Sequence, residues 1–144
     1  MKSILAFIIL IPLLILSCGS PKELPTNMST TPLAELTKDW HLYKNSVPLN
    51  VQNVLIIGDK MTINISYSGG CKEHNFKLVG NQFITNSNPP ERFCRLYHEN
   101  NGDDCRELVN SVLEFDISAF ALPNGQQVNL KLEGYDKPIS YSKK

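Results

Sequence analysis

Met61-Thr62-Ile63-Asn64-Ile65-Ser66-Tyr67 alternates an apolar with a polar side chain at every step. That period of two is the signature of a strand with one face in a core and the other in solvent. Immediately before it, Val51 to Ile57 is a second apolar run, and Gly58-Asp59-Lys60 separates the two. Two strand-like runs around a glycine-containing turn predict a β-hairpin.

Working outward, the same pattern recurs. Asn75 to Val79 and Gln82 to Thr85 read as two short strands around Gly80-Asn81, and Asn86 to Pro90 as a turn cluster. Glu91 to His98 is a further strand with Arg92, Cys94, Leu96 and His98 on one face and Phe93, Arg95 and Tyr97 on the other. Asp103 to Ile117 fits two periods. Cys105, Leu108, Val109 and Val112 have helical spacing with Asp103 or Asp104 as N-cap, whereas Val109, Ser111, Leu113, Phe115 and Ile117 alternate. Its neighbours are all β, so a loop or single turn leading into a strand near Leu108 is expected. Asn124-Gly125 marks a turn, Val128 to Leu132 alternates, and Ile139 to Ser142 closes the chain. Many short strands and no internal repeat predict an all-β chain, a single antiparallel β-sandwich of the immunoglobulin-like kind.

The start of the chain is of a different character. Lys2 precedes Ile4 to Leu16, an apolar segment that spans roughly 20 Å as a helix, short of the ~30 Å hydrocarbon core of a bilayer. It is expected to be a removable signal rather than a permanent span. Its end, Ile15-Leu16-Ser17-Cys18, resembles the lipobox of bacterial lipoproteins. That resemblance implies cleavage before Cys18 and acylation of Cys18, and several acyl chains make a stable membrane anchor. Gly19 follows the cysteine where an aspartate would signal inner-membrane retention, so the outer membrane is the expected location. The organisation read from sequence is therefore a lipoprotein signal over 1–17, a lipidated cysteine and flexible tether over 18–38, and a domain over 39–144. Pro21, Pro25, Pro32 and the Asn-Met-Ser-Thr-Thr cluster at 27–31 give the tether too little apolar surface to offset its ordering entropy. Leu33 to Leu36 is long enough for one helical turn, though nothing there demands it.

Lysine and arginine together number 14 and so do aspartate and glutamate. There is no basic stripe for nucleic acid and no charge block pointing to a polyionic partner. The membrane, reached through Cys18, is the one partner the sequence implies; a protein or small-molecule ligand stays unnamed. Catalytic signatures such as a Gly-x-Ser-x-Gly elbow, a phosphate loop or a His-Glu-x-x-His helix are missing.

Chemistry concentrates in two loops. Beyond Cys18 three cysteines remain, Cys71, Cys94 and Cys105. Cys94 falls mid-strand among Phe93, Leu96 and Tyr97, where a small buried residue suits it. Cys71 and Cys105 both adjoin turns, and a disulfide between them would close a loop of about 35 residues, worth roughly 3–4 kcal/mol in the chain-entropy model. It would leave the nearby histidines dispensable. Against that stands a metal site: Cys71-x-x-His74 and His98 with Cys105 make a Cys₂His₂ set suited to zinc, or to copper(I). A third option is Cys71 as a thiolate nucleophile with His74 or His98 as base. Asn100-Asn101-Gly102-Asp103-Asp104 is oxygen-rich but lacks the spacing of an EF-hand loop, and reads as a solvated turn with glycine at positive φ.

Tyr67-Ser68-Gly69-Gly70-Cys71-x-x-His74-x-Phe76, then His98, Gly102-Asp103-x-Cys105 and Phe115-Asp116-Ile117-Ser118, resembles a group of small bacterial lipoproteins of unknown function. The likeness spans about residues 50 to 144. It implies that Cys71 and Cys105 belong together and that Cys94 stands apart, and it brings no activity or cofactor with it.

Overall fold

A computed structural model describes residues 31–39, 42–44 and 47–144. The expectations for the signal and for lipidation of Cys18 lie outside the described residues, as does most of the tether. The predicted hairpin is formed by β2 (Leu49–Ile57) and β3 (Lys60–Gly69), with Ile57 paired to Lys60 and Gly58 at φ 60° in the turn. Met61, Ile63 and Ile65 are fully buried, as their alternation requires. β2 breaks phase: a register shift between Val51 and Asn53 keeps Leu49 and Val51 before it, and Val54 and Ile56 after it, against the core. Without that bulge the second pair would turn to solvent.

The remaining strands are β1 (Glu35–Thr37), β4 (Asn75–Asn81), β5 (Glu91–Glu99), β6 (Glu107–Asp116), β7 (Val128–Leu132) and β8 (Ile139–Tyr141). They form a sandwich of a five-stranded sheet, β1-β4-β5-β7-β8, and a three-stranded sheet, β2-β3-β6. Leu78, Leu96, Leu130 and Leu132 from the larger sheet share the core with Met61, Ile63, Ile65 and Phe115 from the smaller. Phe120, on a 3₁₀ turn at Ser118–Phe120, plugs the core against Gly80, where a Cβ would come within 2.6 Å of the ring. No helix among the described residues is long and apolar enough to cross a membrane.

The all-β sandwich agrees with the sequence reading, and four details correct it. Pairing is not wholly antiparallel: β1–β4 and β5–β7 run parallel. In each case the chain visits the other sheet between the two strands, and that crossover brings it back in the same direction. Gln82 to Thr85 is not a strand, because the Asn81 side chain accepts the Phe83 N–H at 3.0 Å and turns the chain outward, leaving Phe83 and Ile84 exposed. Leu33 to Leu36 is extended rather than helical. Finally, the sandwich begins before residue 39: Ala34 is buried and β1 pairs with β4, although 18–38 read as tether. The segment first bonds to β6, through Asp116 N–H to the Pro32 carbonyl and Ala34 N–H to the Asp116 carbonyl, and then joins the opposite sheet as β1.

Candidate functional site

Both chemistry-bearing loops come to one end of the sandwich. β3 ends at Gly69, Gly70 turns the chain at φ 110°, and Cys71 to His74 lead into β4. After β5, Asn101 at φ 50° and Gly102 at φ 69° reverse the chain toward β6. Cys71 and Cys105 form a disulfide, with a Cα–Cα distance of 5.9 Å inside the normal range.

Asp103 is the hub beneath that bond. Its Oδ2 accepts the backbone N–H groups of Cys71 and Lys72, each at 3.0 Å, and its Oδ1 accepts that of Cys105 at 2.9 Å. The carboxylate thus ties both loops together alongside the disulfide. Lys72 adds a donation to the Gly102 carbonyl at 2.7 Å. Donation by Cys105, then by Lys72 and Cys71, with a further contribution from His74, outweighs burial and holds the Asp103 carboxyl far below the ordinary carboxylate range.

A buried imidazole pair continues from it. His74 Nε2 lies 3.2 Å from Asp103 Oδ2, and His74 Nδ1 lies 2.8 Å from His98 Nε2. A carboxylate only accepts, so Nε2 of His74 carries the hydrogen. His74 Nδ1 and His98 Nε2 then share one hydrogen, supplied by whichever ring carries it. Burial, and then the neighbouring His74, push the His98 pKa down, opposed by a hydrogen bond that the ring donates to the Val47 backbone carbonyl. Tyr67 and Phe76 wall the pair, Phe76 stacking on His98 with centroids 4.7 Å apart. Gly69 is required by this packing, since a Cβ there would lie 2.6 Å from His74 Cε1.

The structure therefore brings together all four residues of the proposed metal set but gives them different bonds. A thiolate site needs reduced sulfurs, and here both are spent on the disulfide. The side chain beside them is a carboxylate: Cys71, Cys105 and Asp103 each place a ligand atom within 4.8 Å of one another. His98 turns its Nε2 to His74. The Cys₂His₂ zinc or copper arrangement is not assembled in this form, and the Cys71 nucleophile is consumed likewise. Cys94 is the free thiol among the described residues; it is buried, and burial, only partly offset by Arg92, pushes its pKa up to about 12. The histidines hydrogen-bond beside the disulfide, His74 to Asp103 and to His98. The Asn100–Asp104 turn is not wholly solvated, because its Asp103 faces inward. Asp103 is the residue that sequence reasoning undervalued. Its signal was the Asp-x-Cys spacing, which lets the carboxylate accept the N–H two residues on.

Residues 31–140 match the model of the NigD-like C-terminal β-sandwich domain. The chain belongs to that family. Two solved structures share the NigD-like fold. A NigD-like immunity protein from Bacteroides caccae is 21% identical with a TM-score of 0.57, covering 77% of this chain and 58% of its own. A protein of unknown function from Bacteroides vulgatus is 15% identical with a TM-score of 0.51, covering 78% of this chain and 56% of its own. At such identities the likeness carries the fold alone, and this NigD-like chain spans less than two thirds of either protein. No curated protein matches it.

Proposed function

We propose that this chain is a lipid-anchored protein of the cell envelope, held in the outer membrane by acylated Cys18, whose sandwich binds a partner protein non-covalently. The observation that carries the reading is the Cys71–Cys105 disulfide. Disulfides persist in oxidising compartments, which agrees with export directed by the segment ending Ile15-Leu16-Ser17-Cys18. The partner class is suggested by the Bacteroides caccae relative, an immunity protein.

Binding is favoured over catalysis because the reactive groups are withdrawn. Two sulfurs are bonded to each other, the third is buried, and the side chains of His74 and Asp103 are fully buried. Zinc or copper binding through Cys71, His74, His98 and Cys105 would require reduction first.

The anchoring half is tested with Cys18→Ser. The variant is expected to lose acyl label and move from the membrane to the soluble envelope fraction. Unchanged membrane partitioning and unchanged mass would remove the basis of the proposal.

A further inference from the structure

The sandwich has four sheet edges, and three are protected against pairing with other chains. β1 and β8 are three residues long, and β2 is interrupted by its bulge. Short strands and bulges are the usual devices that stop an edge from templating another strand. β6 has neither. It runs ten residues, pairs with β3 in unbroken register from Lys60↔Asp116 to Gly69↔Glu107, and contains no proline or lysine.

Its hydrogen-bonding direction follows from one rung that is filled. Asp116 gives both its N–H and its carbonyl to the Pro32–Ala34 segment, away from β3. Backbone groups alternate with period two along a strand. Leu108, Asn110, Val112 and Glu114 therefore present theirs on the same open side, and none has a backbone partner there among the described residues. Pro32 has no N–H with which to fill the Glu114 carbonyl, and among the described residues the intramolecular pairing ends at Asp116. β1 likewise covers only Val79–Asn81 of β4. Between the strands opens a groove of about 480 Å³ lined by Pro32, Phe76, Val112, Leu113 and Phe115.

We infer that the open edge of β6 is where a partner protein docks, by adding one extended segment as a further strand of the three-stranded sheet. This rests on the binding reading above and names its surface. Main-chain bonds to the four free rungs would supply the attachment, and side chains alternating along the segment would supply selectivity. Leu108 and Val112 are exposed on the outer face and Leu113 and Phe115 lie toward the groove, so apolar side chains suit both faces of the segment. The charged side chains of β6, Glu107, Glu114 and Asp116, are all acidic, with Lys60 offsetting Glu114 and Lys143 acting on Asp116. A segment with basic residues at its ends is the complement.

The test uses the chain from residue 18 with Cys18→Ser, isotope-labelled, and a blocked peptide of alternating valine and threonine flanked by lysines. The amide signals of Leu108, Asn110, Val112 and Glu114 should shift saturably, and their exchange with solvent should slow at least tenfold. The same peptide N-methylated at alternate residues should do neither. Val112→Pro should weaken binding at least tenfold; should it fail to fold, Val112→Lys, at a position 64% exposed, repels the basic peptide and should weaken binding in a folded chain. Shifts confined to β2 or another surface would overturn the edge assignment while leaving a binding protein. No shift anywhere, or equal binding of the N-methylated peptide, would overturn it too. Slow exchange of those four amides without peptide would place the chain's own N-terminal segment there in a monomer, or a second copy in a dimer. Either result would displace the partner strand. The Cys18→Ser fractionation is independent of all these outcomes, so loss of the edge and loss of the anchor are separable.

Discussion

Asp103 and His98 make the fold sensitive to acid through the same sign of linkage. The native state holds the Asp103 carboxyl below its ordinary value. Its contribution is present above the unfolded pKa of about 3.9 and is lost as pH falls toward the folded value. His98 is also depressed, because burial favours the neutral ring. In the window beneath the unfolded value of about 6.5 the unfolded chain binds the extra proton, so stability again falls with pH. We expect the urea midpoint to be level just above neutrality, to decline below about pH 6.5, and to decline further below about pH 4. His98→Gln should flatten the first limb and spare the second. An unaltered first limb in that variant would mean that His98 does not titrate on unfolding.

At the scale of elements, two loops that are remote in sequence are joined by a covalent bond and by one carboxylate. Cys71 and Cys105 close a loop with a sequence separation of 34 residues. Cys71→Ala and Cys105→Ala should each cost about 2–5 kcal/mol, and the double variant little more than either single one. Equilibrium urea unfolding of the four proteins checks this, and additive costs would show that the two cysteines act separately. The strands between these loops were plain in the sequence wherever one face is buried. β5 and β6 alternate as written, and β3 does so over Met61–Ile65 before Ser66 is buried as well, since burial on a pleated surface imposes a period of two. Gln82 to Thr85 deceived because its apolar Phe83 and Ile84 imitate a strand. A side-chain acceptor at Asn81 decides otherwise, and no periodicity records it.

For the molecule as a whole, the fate of the cysteines gives a compact check on the fold. An unlipidated chain carrying Cys18→Ser should contain one titratable thiol, Cys94. It should react only after unfolding without reductant, because Cys94 is 1% exposed and its pKa stands near 12. Its far-UV circular dichroism should show strand and scarcely any helix, since the described regular elements are strands and 3₁₀ turns. Three thiols after unfolding would mean that the disulfide does not form in solution. A thiol reactive in the native state would mean that the core around β5 is open.

What the sequence determined by itself is what local pattern can carry. The hairpin at Val51–Tyr67, the inward face of β5 and the β character of Glu107–Asp116 follow from alternation and turn residues within a dozen positions. Turn positions also marked Cys71 and Cys105 apart from the mid-strand Cys94, but whether they bond to each other, hold a metal or react was left to the structure. The tertiary structure alone decided which groups meet across that distance. The Asp103–His74–His98 chain joins residues 24 to 29 positions apart. The parallel pairings arise from crossovers between sheets, and the entry of Pro32–Ala34 onto β6 depends on a strand some 80 positions later. Side-chain periodicity reports only whether a position faces a core. Hydrogen-bond partners and the open or filled state of an edge depend on which elements come to lie side by side, and that is settled only when the two sheets close on each other.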